Sequence, residues 1–154
     1  MKKITFMLIA LITFSVSAQK KKKNGTVYVD HPAINMVESF QNAWISGDLD
    51  KAKSYLAEDF KIFNGVGLNK NAKGWTKQQF VGNMTWWVNN MDYFQIKRSE
   101  GAYPDAIEYK EGNQLWVQTW DHLYGVNKNT GAKFDAPVHR LYLVSNDNKL
   151  IKAV

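Results

Sequence analysis

Apolar residues recur at helical spacing in three segments up to Met91, and after it they alternate with polar residues in a succession of short runs. In "DHPAINMVESFQNAWISGD" Pro32 stands at a first helical position behind a capping Asp30 or His31, with Val37, Phe40 and Trp44 on one stripe. Gly47 ends that helix, and Asp48, a good N-cap, restarts the chain as "DLDKAKSYLAEDF" with Leu49, Ala52, Tyr55 and Leu56 on one side. A helical hairpin with a two-residue joint is predicted. A short strand and a Gly/Asn-rich loop, "FKIFNGVGLNKNAKG", lead to a third helix. Thr76 and Gln79 stand at capping-box spacing there, and Trp75 and Phe80 at hydrophobic-staple spacing. Its stripe is Phe80, Met84, Trp87, Val88 and Met91; Trp86 falls off it and faces another layer, a partner subunit or solvent.

Five strands follow, "YFQIKRS", "DAIEYKEG", "NQLWVQTWDHLYGV", "AKFDAPVHRLYLVSND" and "KLIKAV", divided by Gly, Asn and Asp clusters and predicting an antiparallel meander. Neighbouring side chains on a strand point to opposite faces, so Asp121 and His122 cannot serve one pocket together. Trp116, Gln118, Trp120, His122 and Tyr124 share one face; Leu115, Val117, Thr119, Asp121 and Leu123 share the other. Two registers across the "NKNTG" turn remain open. A turn centred on Thr130 sets Asp121 opposite His139, where a carboxylate would orient an imidazole as a general base. A turn centred half a residue earlier sets Trp120 there and makes an aromatic wall with His122. Asp121 between Thr119 and Leu123 is costly to bury without a partner, and Arg140 on the next strand is a candidate for a plain salt bridge. His139 reads equally as a hydrogen-bonded structural residue, and His31 as a helix-start residue.

Composition adds limits. The chain of 154 residues is 45% hydrophobic, enough for one core, and its 14% aromatic content with six tryptophans suits either a core of large side chains or a pocket walled by them. Residues 1–18, with Lys2 and Lys3 ahead of an uncharged run and Val16-Ser17-Ala18 at its end, predict a cleaved secretory signal. The run is shorter than the ~20 apolar residues of a spanning helix. Export to a periplasmic or extracellular, oxidising compartment follows, yet there is no cysteine, so stability must come from the core. Removing Lys2, Lys3 and Lys20 to Lys23 leaves 14 basic side chains against 14 acidic ones. The net charge of +6 thus describes the N-terminal end, a basic leader over 19–30, and argues against nucleic acid as a partner. No zinc-ligand spacing, Gly-rich phosphate loop or GxSxG elbow is present. The reading is of no metal and no cofactor. The glycosylation patterns at Asn24 and Asn83 are read as chance matches, the second lying within a helix.

The pattern W-x-x-G-D-x7-L-x-x-D-F, here Trp44, Gly47, Asp48, Leu56, Asp59 and Phe60, and the paired strands in "NKNTGAKFDAPVHRLYLVSNDNKLIKAV" resemble the nuclear transport factor two-like superfamily, especially its SnoaL-like branch. The resemblance spans about Ile34 to Val154. It implies an α+β fold with three N-terminal helices packed on a strongly curved antiparallel sheet, a cone-shaped, cystatin-like roll with a pocket, in a single domain over 31–154 whose last strand reads as truncated. The function expected is binding of a small apolar or aromatic molecule, with Trp44, Tyr55, Trp87, Trp120, His122 and Tyr142 as ligand-binding residues. One alternative is an acid–base enzyme of the isomerase, polyketide cyclase or dehydratase type using Asp121 or His139, with Tyr142 or Tyr55 stabilising the oxyanion. A second is a dimerising accessory module with a filled pocket. Homodimers are common among such proteins, and Trp86 would suit the interface.

Overall fold

The computed structural model describes residues 23–65 and 71–154. The expected signal, the first part of the basic leader and the middle of the Gly/Asn-rich loop lie outside the described residues. In chain order the elements are β1 (Gly25–Tyr28), α1 (Pro32–Ile45), α2 (Leu49–Ser54), β2 (Leu56–Ile62), β3 (Trp75–Thr76), α3 (Lys77–Asn90), β4 (Met91–Arg98), β5 (Asp105–Tyr109), β6 (Gln114–Asn127), β7 (Lys133–Val144) and β8 (Leu150–Ala153).

Local chemistry sets most helix ends. His31 caps α1, its Nδ1 accepting from the Ala33 N–H at 3.1 Å, and Pro32 follows at a position that needs no donor. Gly47, at φ 80°, takes the left-handed turn that closes the helix. In α3 both halves of the capping box form: Gln79 N–H donates to Thr76 Oγ1 and Thr76 N–H to Gln79 Oε1. The second helix is a correction. It stops at Ser54, and Leu56 already pairs with Leu150 in the sheet. Tertiary pairing outweighs the helical spacing of Tyr55 and Leu56.

The sheet order is β1-β5-β6-β7-β8-β2-β3, with β4 also on β6. The 14-residue β6 is its spine: β5 pairs with the first half, β4 with the second half of the same edge, and β7 runs along the whole of the other. The sheet is curved and unclosed. Three features differ from expectation. A strand precedes the helices, β2 and β8 are parallel, and that first strand, Gly25–Tyr28, within the stretch read as leader, is an edge strand paired with β5.

One face of β6 carries buried Val117, Thr119, Asp121 and Leu123; α1 packs against it with Val37, Phe40, Gln41 and Trp44. Phe40 is fully buried, with its ring centroid 6.2–6.4 Å from those of Trp44, Tyr55, Phe80 and Tyr142. A bulge in β4, where Tyr93 adopts φ 55°, turns Phe94 inward to stack on Trp87 at 5.3 Å.

Candidate functional site

The register across the β6–β7 hairpin is set by its turn. Asn127 Oδ1 accepts from the N–H groups of Asn129 and Thr130, Gly131 takes φ 68°, and Asn127 N–H donates to Ala132 O. Val126 therefore pairs with Lys133, and Trp120 stands opposite His139. This is the second of the two registers. The pairing of Asp121 with His139 is excluded: Asp121 faces Val138.

Two opposite surfaces result. On the outer face the His139 ring stacks on Trp120, with centroids 4.9 Å apart and planes 6° apart, and its Nε2 lies 3.2 Å from Gln118 Oε1. His122, on the same face, pairs with Asp135 at 2.9 Å. Trp120 and His122 thus do not point into the interior as ligand-binding residues, and His139 has no carboxylate to make it a base there. Strand alternation and the half-residue shift of the turn place them outside.

On the inner face a group of polar side chains is buried together, beside a small pocket of about 140 Å³ that Glu38, Asn42 and Arg98 also border. Asp121 Oδ2 accepts from Thr119 Oγ1 at 2.8 Å and from Gln41 Nε2 at 3.0 Å, and lies 3.6 Å from Arg140 NH1. Arg140 sits opposite Thr119, its side chain 15% exposed, and its buried NH1 makes no hydrogen bond. Tyr142 lies next to this group on β7. Burial pushes its hydroxyl above the usual tyrosine range, while the Arg140 charge and a hydrogen bond with Gln41 oppose the rise. The phenol is neutral.

The linkage sign follows from that shift. The folded state holds the Tyr142 proton more tightly than the unfolded chain, so the associated stability is complete below about pH 10 and is lost as the pH rises further. Urea unfolding of wild type and Tyr142→Phe at stepped pH is expected to show a steeper loss for wild type as the pH rises above about 10. Parallel curves would mean that another group governs alkaline unfolding.

Beside the polar cluster lies a cavity of about 350 Å³. Trp44 of α1, Phe80, Asn83 and Trp87 of α3, and Leu123, Phe134, Val138 and Arg140 of the sheet border it, with Phe63 and Trp75 at the end of β2 and in β3. His139 borders it only through its place between Val138 and Arg140, since its ring lies on the outer face. Of the ligand-binding residues expected from sequence, Trp44 and Trp87 reach the cavity. Tyr55 packs edge-on against Phe40, and Tyr142 is buried and does not border the cavity. Arg140, Phe134 and Asn83 were not expected there. Gln41 carried a usable signal: it is a polar residue on the apolar stripe of Val37 and Trp44. A larger groove of about 690 Å³ lies on the outside between α2, β2 and α3, bordered by Lys53, Glu58, Asp59, Lys61 and Lys77, and its solvated charges mark it as surface. No group of three or more residues suited to holding a metal occurs among the described residues, and no described helix is long and apolar enough to cross a membrane.

No sequence-family model matches the chain and no curated protein is similar to it in sequence. Solved structures do share its shape. A protein of ketosteroid isomerase-like fold from Catenulispora acidiphila, in complex with trimethylamine, superposes with TM-score 0.52 at 14% identity over 77% of this chain and 81% of the other. The chain has the nuclear transport factor two-like fold. An LEH-like epoxide hydrolase from M. tuberculosis gives 0.53 at 17% identity, over 79% and 78% of the two chains. A protein from Shewanella denitrificans described as a SnoaL-like polyketide cyclase gives 0.52 at 11%, over 81% and 89%. At these identities the likeness establishes the nuclear transport factor two-like fold and no activity.

Proposed function

We propose that this chain is an exported small-molecule-binding protein that holds an apolar or aromatic ligand in a cone-shaped pocket between α1, α3 and the inner face of the sheet. The observation that carries the reading is the cavity of about 350 Å³, walled by Trp44, Phe80, Trp87 and Phe134, with few polar groups to orient an occupant. Export rests on the apolar run and small-residue ending of residues 1–18. A second copy of the chain is the partner that suits the outer face of the sheet, where Trp116, Trp120, Leu141 and Leu143 are half-buried.

Native mass spectrometry of the chain from Gln19 onward, purified gently from its own type of host, tests ligand and assembly together. A reproducible small-molecule adduct is expected, absent from a folded Val138→Trp variant whose indole fills the cavity. A clean mass, with no thermal stabilisation by steroids, polyketides or aromatic acids, would turn the reading towards an accessory module.

One observation favours a second reading, an acid–base enzyme. Asp121 is an interior carboxylate beside a cation, and neighbours of the same fold include a protein described as an epoxide hydrolase and one described as a polyketide cyclase. Only Asp121 of the two catalytic candidates faces inward. In that reading Asp121→Asn abolishes turnover of the recovered compound and leaves its binding intact.

A further inference from the structure

Arg140 is placed as an anchor that its protein neighbours leave under-satisfied. Its guanidinium carries five N–H donors in a rigid fork, and buried guanidinium groups are ordinarily hydrogen-bonded. Here Arg140 has a single ionic contact, NH1 to Asp121 Oδ2 at 3.6 Å, and NH1 is buried without a hydrogen bond. Asp121 does not complete the fork here: its Oδ2 accepts from Gln41 and Thr119, which hold the carboxylate on their side. Asp121 does not border the 350 Å³ cavity, whereas Arg140 does. The cation thus stands between a carboxylate behind it and an apolar cavity in front.

The remaining walls give that cation no rival. Among the described residues bordering the cavity, Arg140 is the one formally charged side chain, and Asn83 and Asn64 are the polar ones besides His139, whose ring stacks on Trp120 on the outer face. Lys152 Nζ lies 4.8 Å from the ring centroid of Phe63, itself on the cavity wall, and adds positive potential at that end. Aromatic side chains line the approach to the fork, and the lower local polarity they give strengthens an ion pair made there.

The geometry points to a ring-containing carboxylate as the ligand class: an aromatic or alicyclic body against Trp44, Phe80, Trp87 and Phe134, and a carboxylate on the exposed edge of the Arg140 guanidinium, away from the buried NH1. This rests on the cavity being a ligand site. It adds an anionic head, which the apolar lining alone does not require. A carboxylate offers two acceptors that match the guanidinium fork, whereas the isosteric primary amide replaces one acceptor by an NH₂ that points hydrogens at hydrogens.

The test is calorimetric titration of the chain from Gln19 onward with ring carboxylates graded in size from benzoate through 2-naphthoate to a steroid acid, each beside its own primary amide. In at least one pair the carboxylate is expected to bind about tenfold or more tighter than the amide. Arg140→Met is expected to abolish that preference while still binding the amide, and Arg140→Lys to keep part of it. Should Arg140→Met fail to fold, the wild-type comparison and Arg140→Lys decide. Amides binding as well as their acids would overturn the carboxylate assignment and leave the cavity reading standing. Binding of neither member of any pair would overturn both. A preference that persists in Arg140→Met would place the anion elsewhere and overturn the role of Arg140.

Discussion

Asp121→Ala is expected to destabilise the fold by about 3–5 kcal/mol, a large share of the roughly 5–15 kcal/mol that holds a domain of this size. The cost comes from what is left behind more than from what is removed. Arg140, 15% exposed, loses the one anion that compensates it, and Gln41 and Thr119 lose a shared acceptor in the interior. Two further variants separate these contributions. Asp121→Asn keeps an acceptor for Gln41 and Thr119 and strips only the charge, so it is expected to fall between wild type and Asp121→Ala. Replacing Asp121 by leucine and Arg140 by methionine together removes both charges and is expected to recover most of the loss. Denaturant unfolding at neutral pH checks all three. A loss under about 1 kcal/mol for Asp121→Ala would mean that Arg140 already finds compensation from water or a bound anion.

Phe40→Ala is expected to cost a similar amount, about 3–5 kcal/mol, for an unrelated reason. Phe40 is fully buried at the meeting point of four aromatic rings contributed by α1, the end of α2, α3 and β7. Removing it opens a void that the surrounding rings, each held by other neighbours, cannot collapse to fill. Trp44, for example, is tied by its indole N–H to Met84 O at 3.3 Å and edge-on to Phe94 at 5.4 Å. Phe40→Leu keeps most of the volume and is expected to lose less than half as much. Urea midpoints at unchanged slope are the measure. Since Phe40 does not border the cavity, ligand preference in a folded Phe40→Leu is expected to match wild type, which separates loss of stability from loss of the site.

The two variants also explain why shared shape says little about chemistry here. The ring cluster around Phe40 builds the fold, while the cluster of Gln41, Thr119, Asp121 and Arg140 carries the polar chemistry beside the cavity. The proteins of the same fold, at 11–17% identity, constrain the first and leave the second open.

Much of the architecture was legible because its causes are local. The cap at His31, the stop at Gly47 and the capping box of Thr76 and Gln79 each depend on residues a few positions apart. The face that Asp121 shares with Thr119 and Leu123 follows from strand alternation alone. The end of α2 was not legible, because the chain at Leu56 joins β8 from almost a hundred residues away, a pairing that helical spacing cannot register. Nor was the strand at Gly25–Tyr28, whose partner is β5.

By itself, then, the sequence determined most of the segments, their caps and the residues that share a face within each strand, since all of these are written in short-range backbone geometry. Only the tertiary structure decided which face is inside and which residue lies across the hairpin. The carbonyl of the Asn127 side chain shifts the turn by half a residue, and that shift carries His139 out to Trp120 and leaves Arg140 facing the cavity beside Asp121.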